Sequence, residues 1–291
     1  MSFPASETDL GAGVSASPTS LATDGGRSGG GRSRILRFAV PVFMLVLLVA
    51  AWSLYVAAYD VPHYILPSPR RVAEALVADW SVLGPALLVT LKITFLALLI
   101  ALVGGVALAV LLSESRLAEL ALYPYAVILQ VTPIVAIAPL ILIYVPSTQA
   151  ALLICAWIVA FFPVLSNTTQ GLKSTDHNLL DLFRLYGASR WQTLAYLKMP
   201  NALPYFLAGL RIAGGLALIA AVVAEFAAGS AGAGSGLAFR LIESQFRLNI
   251  PRLFAALILL SMTGVLIFAV TSFVSHLLLR RWHESALKRE V

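Results

Sequence analysis

Lys92, Arg211 and Glu225 fall in or beside long apolar runs of the sequence. A charge at the centre of a bilayer costs about 2.5–3.5 kcal/mol on insertion scales, so an ionisable residue there marks a relay, a pathway or a paired structural site. Lys92 and Arg211 stand near the starts of their runs, and their long stems can carry the charge to the interface. Glu225 stands near the end of its run among small residues, which suit close helix approach. It is read as lining the outer mouth of a pathway or a seam between two copies, against a purely structural role. Cys155 is the single cysteine, with no partner for a disulfide or a zinc site, and His63, His177, His276 and His283 show no ligand spacing. No metal or cofactor is therefore expected in this chain. A membrane-embedded enzyme would need a clustered nucleophile, base or metal set, and none is visible. A secondary transporter driven by an ion gradient would need buried acids and an inverted repeat. The acids are few and the two halves show no similarity, so this class stands as the alternative.

A second concentration of signals lies between Ser174 and Leu203. Leu179, Leu182, Phe183 and Tyr186 recur at i, i+3, i+4 and i+7, one face of a helix. Ser174, Thr175 or Asp176 can cap its start, and Gly187 stands where a left-handed stop is wanted. Ser189 and Gln192 form a capping box that opens a second short helix, on which Trp191, Leu194 and Ala195 share a face. Pro200 and Pro204 punctuate the entry into the next apolar run. The predicted object is a helix, a tight turn and another helix, apolar on one face and carrying Arg184, Arg190 and Lys198 on the other.

The elements that must position these residues follow from composition. Of 291 residues, 59% are apolar and 12% charged, where a soluble domain carries about 25% charge. Residues 1–34 are small and polar and are expected to form a disordered tail. Six apolar runs follow, at 38–59, 86–112, 121–145, 150–169, 204–228 and 253–279, each near the roughly 20 residues of a transmembrane helix. They are continuous rather than alternating, which excludes a barrel. The first is too long for a signal core of about 7–15 residues and is read as an uncleaved span. The expected fold is an all-α polytopic membrane protein of six helices, with one transmembrane domain over 35–284 and a short tail over 285–291. Pro124, Pro133 and Pro139 fall in the third run, which predicts a bent helix, with Pro133 and Pro139 on a translocation path. With the N-terminus cytoplasmic, the inside segments hold thirteen Lys and Arg and the outside segments five. That bias places both termini inside. The net charge of +6 is read as basic loops beside anionic lipid rather than as a nucleic-acid surface.

The loop resembles that of the permeases of ATP-binding-cassette (ABC) importers, whose pattern is E-A-A, three residues, Gly, nine residues, I-x-L-P. Asp181-Leu182-Phe183 stands in the first slot, Gly187 follows at the required spacing, and Leu197-Lys198-Met199-Pro200 stands in the last. The acid, the glycine and the proline match, while larger apolar residues replace both alanines. Tyr186 to Thr193, Ala202-Leu203-Pro204-Tyr205, Ala208 to Arg211, Val223 to Phe226 and Ile65 to Pro69 look like the nitrate/sulfonate/taurine-type permeases, over about residues 60–280. The resemblance implies a type I importer permease fold in the bacterial inner membrane and a homodimer around a central path. Two ATP-binding cassette subunits would each receive the loop through Asp181, Leu182, Phe183, Tyr186, Gly187, Ala188, Ser189, Arg190 and Pro200. A separate solute-binding protein would deliver substrate. ATP and Mg would bind the partner ATPase, consistent with a sequence that holds no G-x-x-x-x-G-K-[ST] loop. Gly171 to Asp176 and the Gly-rich turn before Arg240 resemble members that import pyrimidines or riboflavin, with sulfonate, taurine or nitrate as the alternative.

Overall fold

A computed structural model describes residues 30–229 and 234–280. Most of the expected N-terminal tail and all of the C-terminal tail lie outside these residues. Helix α1, Gly30–Ala58, opens inside the stretch expected to be unstructured. The chain divides into two units, one ending at Ala51 and the other beginning at Trp52. In the first, the described residues are the leading part of α1.

The second unit holds α2 (Pro69–Ala78), α3 (Trp80–Glu114), α4 (Arg116–Val131), α5 (Ile134–Tyr144), α6 (Thr148–Lys173), α7 (His177–Leu185) and α8 (Arg190–Thr193). A π-turn (Leu194–Lys198), α9 (Met199–Ala228), α10 (Leu237–Phe246) and α11 (Ile250–Leu279) complete it. Among the described residues, five helical stretches are long and apolar enough to cross a membrane: Ala39–Ala58, Trp80–Glu114, Thr148–Lys173, Arg190–Ala228 and Ile250–Leu279. Helices α4 and α5, bent by 101° to one another, are together apolar enough for a sixth if the pair crosses as one broken span rather than re-entering.

That corner corrects the single bent helix expected over 121–145. Thr132 and Pro133 both take extended backbone, with ψ of 124° and 119°. A proline removes a donor and drives the residue before it out of the helical region, so the helix stops there. Pro124 and Pro139 lie inside α4 and α5, and the corner belongs to Pro133. At about 1.5 Å per residue, α4 extends roughly 24 Å and α5 roughly 16 Å, each short of a hydrocarbon core of about 30 Å.

The helices pack through small side chains. One cluster joins Ile93 and Ala97 of α3, Ala138 of α5, Leu152, Cys155 and Ala156 of α6, and Ala221 and Ala224 of α9. Lipid supplies no hydrophobic force between helices, so association depends on close backbone approach. The α6–α9 seam shows it: a Cβ at Gly209 would lie 2.6 Å from the Pro163 carbonyl oxygen and 2.8 Å from Asn167 Cβ. These two helices flank the loop at 174–198 and hold its ends together.

The connections before α3 and before α11, read from sequence only as external segments, contain α2 and α10. The Ser68 hydroxyl accepts from the Arg71 N–H and Pro69 occupies the first turn of α2, an N-terminal signature. Val72 of α2, Leu83 and Ala86 of α3, Leu237 of α10 and Ala255, Ala256 and Leu259 of α11 form one core cluster.

Candidate functional site

The loop between α6 and α9 has the expected helix–turn–helix form. Asp176 caps α7, its carboxylate accepting from the Asn178 N–H at 2.8 Å. After Tyr186 the chain turns through Gly187 at φ +71°, where the Ala188 N–H reaches back to the Phe183 carbonyl at 3.0 Å. This is the six-to-one bond of a left-handed helix stop. The Ser189 hydroxyl accepts from the Gln192 N–H at 3.3 Å and the Ser189 N–H donates to the Gln192 side chain at 2.7 Å, the reciprocal box predicted from their spacing. Asp181, Leu182 and Phe183 lie on α7, Tyr186, Gly187, Ala188 and Ser189 form the turn, and Arg190 opens α8. The structure brings these eight residues into one segment. Pro200 is removed from them, in the first turn of α9.

Two details differ from expectation. The second short helix does not end before the fifth span; α8, the π-turn and α9 form one continuous stretch, Arg190–Ala228. Pro200 has no N–H to offer a carbonyl four residues back. A wider turn precedes it, with the Met199 N–H donating to the Leu194 carbonyl, and such π-turns let a helix run past the disruption. The wide turn also changes the facing of side chains. Leu194 is buried with Ala109, Leu112 and Ala202, while Trp191 and Ala195, expected on its face, are exposed.

The loop is anchored at its base and bare at its tip. Lys198 donates to the Glu114 carboxylate of α3 at 2.6 Å. The Asn201 amide donates to the Gly171 carbonyl at 3.3 Å and to the Ser174 hydroxyl at 3.2 Å. No residue of α7 is buried. Leu179 and Leu182 are each 44% exposed, Leu185 84%, Tyr186 83% and Trp191 74%. An apolar helix face that its own chain leaves uncovered, on a rigid base, is suited to a partner's groove.

The charged residues of the spans divide. Lys92 is exposed and, with Ser147 and Gln149, lines a groove of about 440 Å³. Arg211 of α9 sits 5.7 Å from the centroid of the Phe268 ring on α11, a cation–π arrangement. Pro133 and Pro139 are exposed. Glu225 is 2% exposed and engaged on both oxygens. It accepts from the Thr90 hydroxyl at 2.8 Å and from the Ala238 N–H at 2.9 Å. Beyond it, Glu243 of α10 takes Arg240 at 2.8 Å and Arg247 at 2.9 Å. The Arg240 hydrogen bond, opposed by partial burial and aided by the Arg247 and Arg252 charges, holds its carboxyl below the usual range.

The family described as "Binding-protein-dependent transport system inner membrane component" matches residues 101–283. The formylaminopyrimidine transport permease protein ThiX of Halalkalibacterium halodurans is 32% identical, over 82% of this chain and 94% of the relative. The riboflavin transport system permease protein RibX of Chloroflexus aurantiacus is also 32% identical, over 84% and 90%. Among solved structures, an inward-facing MetNI methionine ABC transporter chain superposes with a TM-score of 0.59 at 18% identity, covering 68% of this chain and 96% of that one. At that identity the likeness concerns the fold.

Proposed function

Because this chain belongs to the family of binding-protein-dependent transport system inner membrane components, we propose that its α7–α8 loop is the element that couples solute import to a separate ATPase. The chain is the permease subunit of an ABC importer, an integral multi-pass protein of the inner membrane and not an enzyme by family. In the proposed assembly two copies enclose a central path, two ATP-binding cassette subunits each receive one loop, and a solute-binding protein docks on the opposite side. ATP and Mg bind the ATPase. Asp181, Leu182, Phe183, Tyr186, Gly187, Ala188, Ser189 and Arg190 form the docking tip, and Pro200 belongs to the base. The observation that carries this reading is the uncovered apolar face of α7 above a base clamped by α3, α6 and α9.

The cargo is proposed to be a small pyrimidine- or riboflavin-like solute, supported by the two 32%-identical relatives named for such transport. The test is reconstitution. In proteoliposomes, the chain alone is expected to hydrolyse no ATP. With its ATPase and binding protein it is expected to import a labelled pyrimidine or riboflavin. Import of taurine, an alkanesulfonate or nitrate instead would reassign the cargo, and hydrolysis by the purified chain alone would contradict the division of labour.

Orientation follows the charge bias: both termini inside, the α7–α8 loop inside, α2 and α10 outside. Reporters fused after Arg37, Val145 and Arg289 should read inside, outside and inside. The Val145 fusion bears on the bent α4–α5 pair, since an inside signal there would mean that the pair re-enters rather than crosses.

A further inference from the structure

Glu225 stands in the last turn of α9, whose C-terminus follows at Gly229, where the Gly229 N–H donates to the Glu225 carbonyl at 3.2 Å. A carboxylate is disfavoured at the C-terminal, negative end of its own helix. Its oxygens are instead directed at the N-terminus of another helix. The Ala238 N–H of α10 donates to Oε2, and the Leu237 N–H donates to Thr90 Oγ1 at 2.9 Å, while that hydroxyl donates to Oε1 of Glu225. Helix α10 has no cap of its own, because Gly236 at that position carries no side chain. Its first free amides are satisfied by α3 and α9. The approach is close enough that any Cβ at Gly236 would collide with the Glu225 carboxylate. Thr90 is fully buried and Glu225 nearly so, so water cannot replace these bonds and a missing partner leaves a bare polar group.

The other end of the same helical stretch is the α7–α8 loop. Arg190 to Ala228 runs without a break. From Arg190 to Glu225, 35 residue steps along the chain, the stretch extends about 53 Å at about 1.5 Å per step. We infer that Glu225 and Thr90 are positioning residues that make α10 move with α9, so that a displacement of the loop reaches the far face of the protein through one buried carboxylate. This rests on the loop's coupling role. The apolar cluster of Leu237 with α2, α3 and α11 packs α10 without direction, whereas the two bonds fix the α10 N-terminus to α9 and α3.

The test uses the complex of the full chain with its ATPase and a spin label at an introduced Phe246→Cys, since Phe246 of α10 is 83% exposed. Cys155, the native cysteine, is buried. Trapping the ATPase with ATP and vanadate is expected to change the label's spectrum in the otherwise unaltered chain. Thr90→Val keeps the shape and removes the hydroxyl, and should reduce that response about tenfold, within the range of two-site couplings. ATPase co-purification should be retained, and Thr90→Ser should restore the response. Glu225→Gln is the second variant and should behave like Thr90→Val. An unchanged response in both variants overturns the inference. So does failure of both to assemble, because the bonds would then serve folding rather than transmission. Loss of ATPase binding by the otherwise unaltered chain would instead refute the coupling role of the loop.

Discussion

Gly187→Val is expected to reach the membrane at wild-type levels, lose most of its association with the ATPase subunit and support no uptake. Gly187 holds φ +71°, a region that costs an L-residue about 1–2 kcal/mol and is least compatible with a β-branched side chain. Space is not the obstacle, since nothing lies within 4 Å of an added Cβ. The strain must be relieved by the backbone. The bond it threatens is the one from the Ala188 N–H to the Phe183 carbonyl, which sets the angle between α7 and α8. The spans do not depend on that angle, but a docking face does. Gly187→Asn, which tolerates the left-handed region, should keep most of the association. Co-purification of the ATPase with each variant, followed by uptake, measures this; a Val variant that keeps its partner and transports would remove the loop from the coupling pathway.

Gly209→Leu is expected to do the reverse and fail in folding. Its Cβ would meet the Pro163 carbonyl oxygen at 2.6 Å and Asn167 Cβ at 2.8 Å. A carbonyl oxygen within α6 cannot swing aside as a side-chain tip can, so α6 and α9 must separate. Overpacking of this kind costs about 1–3 kcal/mol or more, on a seam that depends on backbone proximity. A several-fold fall in membrane level and a lower melting temperature in detergent are expected, with Gly209→Ala intermediate. Gly215, on the same helix with nothing within 4 Å of an added Cβ, is the control, and Gly215→Leu should be tolerated. Equal levels for the Leu variants at 209 and 215 would show that the α6–α9 approach is not needed for stability.

Most of what depends on composition and local pattern is legible in the residues alone. Continuous apolar runs required membrane helices, because an unsatisfied backbone amide in lipid is too costly for other forms. The α7 stripe, Gly187 and the Ser189–Gln192 box were legible because caps and turns are made by residues within a few positions of one another. Helices α2 and α10 were not read, though Ser68-Pro69 was a visible start signal for α2.

What depends on partners distant in sequence emerges only when the helices pack. The three prolines of the third run do not differ as residues, and only the fold shows the corner at Pro133. The capping box announced a second short helix but not its merger with α9, which follows from how the π-turn accommodates Pro200. Glu225 read as a charge in a small-residue stretch. Its partners, Thr90 and the first amides of α10, lie 135 and 13 residues away, and no spacing rule connects them. A buried carboxylate takes its role from the donors that folding brings to it, and that pairing is a property of the packed helices.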